Sequence, residues 1–177
     1  QDDPAGIWQP VSLVITNQLC VKEVFIRSTL DGATFNVTLK NHSNKKAKIN
    51  LATDIIDCKT NNLFYTENSL SNIEIQAGEE KTVSYSIKNL KPHLWTPEHP
   101  NLYDFKFKLI GQENTEEDVM IVRSGFKTFE CKNGLFYLNG VPHWLRGANH
   151  TPFALAPNDK ELANTFYQLM KNSNIEV

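Results

Sequence analysis

The feature of this 177-residue chain that most restricts its fold is a period-two alternation of apolar and polar residues, repeated in short segments. Residues 33–41 are the clearest case, because every second side chain is apolar, at Phe35, Val37 and Leu39. Successive side chains of a β-strand point to opposite faces, so this pattern is typical of a strand with one buried face. The same pattern predicts six further strands, around residues 21–26, 49–55, 70–75, 83–88, 105–109 and 119–123.

Turn-forming residues lie between these segments. They are Asp31-Gly32, residues 41–46, Asn61-Asn62, Ala77-Gly78 and residues 111–117. Seven short strands at near-regular spacing predict a two-sheet β-sandwich. The alternation does not determine which strands pair, so an immunoglobulin-like strand order is a hypothesis at this stage.

Charge and hydropathy exclude two classes of partner. The net charge is -2 and the pI is near 6.2, whereas nucleic-acid binding requires clustered Lys and Arg. The basic run at Lys45, Lys46 and Lys48 is short and is expected to be a solvated loop. No segment approaches the ~20 apolar residues that cross a bilayer. We therefore expect neither nucleic-acid binding nor membrane insertion.

Histidine and cysteine do not show metal-ligand spacing. The five histidines are scattered, and Gly-rich phosphate loops and His-Glu-x-x-His are absent from the sequence. We expect no metal and no cofactor. Cys20, Cys58 and Cys131 are expected to be free thiols, with one disulfide as the alternative, because pairing cannot be read from the sequence.

After residue 124 the pattern changes to that of a tight ribbon. Asn133-Gly134 and Asn139-Gly140 are strong signals for two-residue hairpin turns, because both residue types tolerate positive φ. They predict a three-stranded ribbon over residues 126–146.

The last segment is predicted to be a helix over residues 159–174. Asn158 is expected to cap it, with Glu161 three residues later forming a capping box. One apolar stripe follows at helical spacing, formed by Leu162, Phe166, Leu169 and Met170. Residues 175–177 have the composition of the start of another strand.

Four segments, taken together and in this order, resemble glycoside hydrolase family 2. They are residues 6–11 (Gly-Ile-Trp-Gln-Pro-Val), residues 94–103 (Leu-Trp-Thr-Pro-Glu-His-Pro-Asn-Leu-Tyr), residues 125–130 (Gly-Phe-Lys-Thr-Phe-Glu) and residues 138–149 (Leu-Asn-Gly-Val-Pro-His-Trp-Leu-Arg-Gly-Ala-Asn). In order, they are similar to the exit strand of the family's jelly-roll sugar-binding domain, the corner of its central sandwich, its Gly-Phe-Arg strand and its barrel entry.

The resemblance implies a mainly β chain in three parts. Residues 1–13 would be a remnant of the jelly roll, and residues 14–124 an immunoglobulin-like β-sandwich. Residues 125–177 would be the lead-in β-hairpin, the first strand (143–147) and the first helix of a truncated (β/α)8, or TIM, barrel. The implied partners are the jelly roll and the barrel of the same parent enzyme and a β-linked glycan substrate. The sequence does not determine the cellular compartment. An exported parent enzyme, periplasmic or secreted, is a hypothesis.

The family hydrolyses β-linked glycosides with retention, which requires two carboxyl groups about 5–5.5 Å apart. In the family both are Glu residues on later barrel strands, so the resemblance implies that this chain holds no catalytic residue. Glu79, Glu80 and the acidic run at residues 113–118 fall in predicted turns and are expected to be solvated.

Barrel active sites gather at the C-terminal ends of the strands, which is where Asn149 and His150 would lie. These two residues are the candidates for the substrate pocket of the parent enzyme. Many galactosidases of the family carry Arg-His after the matching Asn, whereas this chain carries His150-Thr151. Because of this difference, specificity for galactose does not follow from the resemblance.

Trp95, Pro97 and Tyr103 are interpreted as a structural corner. Proline restricts the connection, and sandwiches often place a tyrosine at such a corner with its hydroxyl bonded to nearby backbone. The alternative is a platform on which the Trp95 and Tyr103 rings stack against sugar.

The leading hypothesis is a non-catalytic scaffold domain of a retaining, β-galactosidase-like glycosidase. One alternative is an independent carbohydrate-binding module, which predicts a row of exposed aromatic residues on one sheet face. The other is an interaction domain of immunoglobulin type, which does not explain the barrel-entry motif at residues 138–149.

Overall fold

A computed structural model describes residues 11–111, 115–147 and 159–175 of the chain. Seven strands form the main body: β1 Leu19–Ser28, β2 Ala33–Asn41, β3 Ala47–Asp57, β4 Leu63–Ile75, β5 Glu80–Ile87, β6 Tyr103–Ile110 and β7 Glu116–Ser124. A ribbon of three short strands follows, β8 Phe129–Lys132, β9 Leu135–Leu138 and β10 Val141–Pro142, and then helix α1, Lys160–Asn172.

The seven long strands form two antiparallel sheets. The small sheet has the order β1-β2-β5 and the large sheet the order β4-β3-β6-β7. This is a mainly β, immunoglobulin-like sandwich, as predicted. The fourth strand pairs with β3 rather than with β5, so the arrangement differs from constant-type immunoglobulin domains, where four strands share the first sheet.

The alternating apolar side chains meet in one core between the sheets. The ring of Phe35 from the small sheet lies 5.8 Å from that of Phe105 and 5.5 Å from that of Phe107, both in the large sheet. All three side chains are fully buried. Removing a side chain of this size from water stabilises the fold by roughly 1.5–3 kcal/mol, so this cluster is a main source of cohesion between the sheets.

A group of three hydroxyls also connects the sheets. The buried Thr53 hydroxyl on β3 is hydrogen-bonded to the Tyr85 hydroxyl on β5 and accepts a hydrogen bond from Ser69 on β4 at 2.9 Å. Burial raises the pKa of Tyr85. Buried polar groups are costly unless they are paired, so this group favours the one strand register that pairs all three hydroxyls.

The acidic run before β7 differs from the prediction. The turn predicted over residues 111–117 is shorter, because β7 already begins at Glu116. Asp118 is therefore a strand residue, and its carboxylate accepts a hydrogen bond from the backbone N–H of Val21 at 2.8 Å. The register of β1 shifts between Val21 and Glu23, and Asp118 satisfies a backbone donor at that bulge. Glu113 lies outside the described residues.

The ribbon forms as predicted. Both Asn-Gly pairs adopt positive φ at both positions, with φ of 50° and 76° at Asn133 and Gly134 and of 54° and 79° at Asn139 and Gly140. This backbone matches the right-handed twist of the paired strands. The rings of Phe129 and Phe136 stack on one face of the ribbon, with centroids 5.4 Å apart.

Two predictions for the end of the chain are corrected. Residues 143–147, predicted as the first barrel strand, are not a strand in the structure. A barrel strand is held by hydrogen bonds to parallel neighbours, and every strand pair in the described part of the chain is antiparallel. Helix α1 is capped by Asp159, whose carboxylate accepts from the N–H of Leu162 at 2.9 Å. Asn158, the predicted cap, lies outside the described residues.

Helix α1 carries the predicted apolar stripe but buries none of its residues. Phe166 and Leu169 are 36% and 58% exposed. Across the described ranges, no helix is long and apolar enough to span a membrane.

We predict that Phe35→Ala lowers the free energy of unfolding by about 3–5 kcal/mol, because it removes the ring that meets the opposite sheet. Phe25→Ala is the matched control, since Phe25 lies on the neighbouring strand and is 61% exposed. We expect the control to change stability by less than about 0.5 kcal/mol. Urea denaturation of both variants checks this, and equal losses would contradict the assignment of the core.

Candidate functional site: the Trp95 corner

The Trp95 corner, residues 94–103, is the part of the long β5–β6 connection that brings the chain from the small sheet to the large one. A tight turn shapes it: Thr96 N–H donates to the His99 carbonyl at 3.0 Å, and His99 N–H donates to the Thr96 hydroxyl at 3.0 Å. Pro97 follows Thr96 in this turn, where its fixed φ suits the backbone. The corner is therefore held by local bonds and by a restricted backbone.

Tyr103 is the buried end of the corner and the first residue of β6. Its hydroxyl accepts a hydrogen bond from the backbone N–H of His93 at 2.9 Å. Its ring packs edge-on against Phe126 at 5.1 Å and tilted against Phe64 at 5.1 Å. Burial raises the pKa of Tyr103, so the hydroxyl stays neutral. The ring is packed inside the sandwich and does not present a face to a sugar.

Trp95 lies where the corner meets the chain that leaves β7. Its backbone N–H donates to the Phe126 carbonyl at 2.9 Å. The approach requires a glycine at position 125, because a Cβ there would lie 2.8 Å from the Cβ of Trp95. The ammonium of Lys127 lies 4.0 Å from the centre of the Trp95 ring, a cation–π contact. One face of the ring is thus covered, which favours the structural interpretation over a sugar platform.

Asn101 and Asn139 complete the corner from two directions. The Asn101 amide donates to the Leu94 carbonyl at 2.9 Å, which ties the two ends of the corner together. The Asn139 amide, from the turn between β9 and β10, donates to the Trp95 carbonyl at 3.0 Å. The structure therefore brings Trp95, Pro97 and Tyr103 together with a residue of the ribbon, and so joins sandwich and ribbon at one point.

Sequence reasoning missed Gly125, Lys127, Asn101 and Asn139 as members of this site. The predicted turn fully explains the Asn139-Gly140 pair, so the sequence gives no signal that the Asn139 side chain has a second role. Gly125 lies in one of the segments that resemble the family, but its close approach to Trp95 depends on two segments that are distant in sequence.

Five acidic residues of the described part lie in ion pairs: Asp54, Glu74, Glu80, Asp104 and Glu130. Glu80 lies 2.8 Å from Lys22, and the hydrogen bond from Lys22 holds the pKa of Glu80 below its usual value. A general acid of a glycosidase needs the opposite shift. No cluster of three potential metal ligands occurs among the described residues. Asn149 and His150, the candidate pocket residues, lie outside the described ranges.

We predict that Tyr103→Phe lowers the free energy of unfolding by about 1 kcal/mol, the net contribution of one buried hydrogen bond. The ring contacts remain, so only the bond to the His93 backbone is lost. Tyr167→Phe on the 70% exposed Tyr167 serves as control and is expected to change little. Denaturation midpoints measure both, and an unchanged midpoint for Tyr103→Phe would contradict the role of the hydroxyl.

Comparison with known proteins identifies the sandwich. The family model described as "Glycosyl hydrolases family 2" matches residues 20–127, which include nearly all of β1–β7, the corner itself, Gly125 and Lys127. The β-galactosidase of Pseudoalteromonas haloplanktis is 30% identical to this chain, over 82% of this chain and 14% of that protein. The β-galactosidase of Alteromonas mediterranea is 25% identical, over 96% of this chain and 17% of that protein.

Solved structures give the same result. A β-glucuronidase from Bacteroides uniformis aligns with 87% of this chain and 20% of its own, at 27% identity and a TM-score of 0.67. A glycosyl hydrolase family 2 member from Bacteroides cellulosilyticus aligns with 75% of this chain and 19% of its own, at 26% identity and a TM-score of 0.64. The chain spans less than a quarter of the length of these relatives. Because the family model matches more than half of the chain, this chain belongs to glycosyl hydrolase family 2.

Proposed function

We propose that this chain is the non-catalytic scaffold region of a retaining β-glycosidase that hydrolyses O-glycosyl bonds. The observation that carries the proposal is the Trp95 corner, where the sandwich is hydrogen-bonded both to the chain leaving β7 and to the ribbon. A scaffold must hold its neighbours at a constant angle, and bonds of this kind resist rotation between the parts. The named relatives include β-galactosidases and a β-glucuronidase, so a β-linked glycoside is the proposed substrate of the longer enzyme.

The proposed division of the chain has three parts. Residues 1–13 are the remnant of a jelly-roll domain, 14–124 the sandwich, and 125–177 the lead-in ribbon, first strand and first helix of a TIM barrel. Two observations support the second boundary: β7 ends at Ser124, and the family match ends at residue 127, before the ribbon. The barrel strand at 143–147 would form once parallel neighbours are present to bond it.

Exposed apolar side chains support the barrel as a partner. Val141 and Trp144 are 64% and 80% exposed, and the stacked Phe129 and Phe136 are 49% and 41% exposed. On α1, Leu169 is 58% exposed. Large exposed apolar side chains often mark an interface, and the proposed barrel would cover them.

The chemistry is proposed to lie outside this chain. Retaining hydrolysis requires an acid/base and a nucleophile about 5–5.5 Å apart. In the described part, Asp54 pairs with Lys108 at 2.7 Å and Asp104 with Arg123 at 2.8 Å. Both carboxylates lie on outward positions of the large sheet, and each is paired with a cationic side chain. They are therefore poorly suited to attack or protonate a glycoside.

The binding-module alternative has less support. The outer face of the small sheet is a ladder of polar pairs, such as Thr34 with Ser86 and Asn36 with Ser84. Within the described strands of that sheet, Phe25 is the single exposed aromatic residue. A platform for a glycan requires several aromatic residues in a row.

An activity assay tests the proposal. We expect the 177-residue chain to release no product from a panel of aryl β-glycosides and to bind no glycan in a titration. The full-length enzyme is expected to hydrolyse at least one member of the panel with retention, as shown by the anomer that forms first in NMR. Turnover by the 177-residue chain, or glycan binding at micromolar affinity, would contradict the scaffold role.

The candidate pocket residues are tested in the full-length enzyme. Asn149→Ala and His150→Ala are expected to lower kcat/KM by about five- to tenfold each, as for a lost hydrogen bond to substrate. His42→Ala, at an exposed position after β2, is the control and should leave the kinetics unchanged. Wild-type kinetics in both pocket variants would remove Asn149 and His150 from the pocket.

A further inference from the structure

Asn139 combines a turn and a clamp in one residue. Its backbone takes the positive φ of 54° that the β9–β10 turn requires. Its side-chain oxygen accepts from the Thr128 N–H at 3.0 Å, and its side-chain nitrogen donates to the Trp95 carbonyl at 3.0 Å. Its own backbone N–H donates to the Thr128 carbonyl at 2.9 Å. One amide therefore bridges the base of the ribbon and the corner of the sandwich.

Asn133 shows that the turn does not need this clamp. It begins the other Asn-Gly turn of the ribbon, with nearly the same φ of 50°. No hydrogen bond connects its side chain to another described residue. The two asparagines thus share the backbone role, and the bond to the sandwich belongs to Asn139.

The remaining bonds at this junction act before the ribbon begins. The Ser28 hydroxyl donates to the Lys127 carbonyl at 3.0 Å, and the Trp95 N–H donates to the Phe126 carbonyl. These bonds hold residues 126 and 127, and β8 begins at Phe129. These bonds leave the orientation of the ribbon beyond residue 128 to contacts that the ribbon itself makes. The hydrogen bond from the Asn139 amide to the Trp95 carbonyl is one such contact.

We propose that Asn139 is a positioning residue, whose amide sets the angle at which the ribbon and the chain after it leave the sandwich. The biological meaning rests on the proposed scaffold function, because a barrel that follows the ribbon would inherit this angle. The test does not rest on it, since the angle is measurable in the 177-residue chain without any activity.

The experiment compares Asn139→Gly with Asn133→Gly by NMR of the isotope-labelled chain. Glycine keeps the positive φ of either turn, so each variant removes only a side-chain amide. Residual dipolar couplings report whether β8 and β9 share one alignment tensor with the sandwich strands. Amide exchange at Thr128 reports the clamp directly.

In the wild type and in Asn133→Gly, we expect one common tensor and a protected Thr128 amide. In Asn139→Gly, we expect the couplings of the ribbon to shrink and diverge from those of the sandwich, and Thr128 to exchange about tenfold faster. A common tensor in Asn139→Gly overturns the proposal. Equal release of the ribbon in both variants overturns it as well, and so does loss of protection in core amides such as those of Phe35 and Phe107.

Asn139→Asp separates the two bonds of the amide. The carboxylate still accepts from Thr128 but has no donor for the Trp95 carbonyl. We expect Thr128 to stay protected at neutral pH while the ribbon loses the common tensor. A ribbon that remains aligned in this variant would show that the Trp95 bond does not set the angle.

Discussion

The structure depends on the contact of aromatic rings from two sheets. Phe35 from the small sheet meets Phe105 and Phe107 from the large one, and each ring alternates along its strand with a polar residue. Once these rings are buried, the inward face of every neighbouring strand is set, because a slip of one residue would turn the whole apolar set outward. The strand register, the closed core and the position of the corner follow from that burial.

The same cluster continues into the junction with the ribbon. The ring of Phe126 lies 5.5 Å from that of Phe105 and 5.1 Å from that of Tyr103, although Phe126 follows the last strand of the sandwich. The core and the junction therefore share their packing, and the chain leaves the sandwich from a buried, fixed point. Interiors at normal packing density transmit displacement rather than absorb it. This fixed exit is the physical basis of the proposed scaffold role.

Local patterns accounted for the elements whose two faces differ in polarity. β2 occupies the predicted residues 33–41, and both Asn-Gly turns adopt the predicted backbone. The first half of β4 was missed: the strand begins at Leu63, but alternation is weak there and the pairing with β3 is interrupted by register shifts. Asp118 falls in a predicted turn because it ends an acidic run, and its partner, the Val21 N–H, lies 97 residues away. Contacts of that separation leave no periodic signal.

By itself, the sequence determined the mainly β character, the number of sandwich strands and the hairpin turns, because each depends on residues a few positions apart. Tertiary structure alone decided that β4 joins the large sheet, that Gly125 must lack a side chain to admit Trp95, and that Asn139 holds the ribbon as well as turning it. These outcomes depend on contacts between segments that are far apart along the chain and that burial brings together. The local spacing of residues does not encode such contacts. Such contacts pack the seven amphipathic strands into one sandwich.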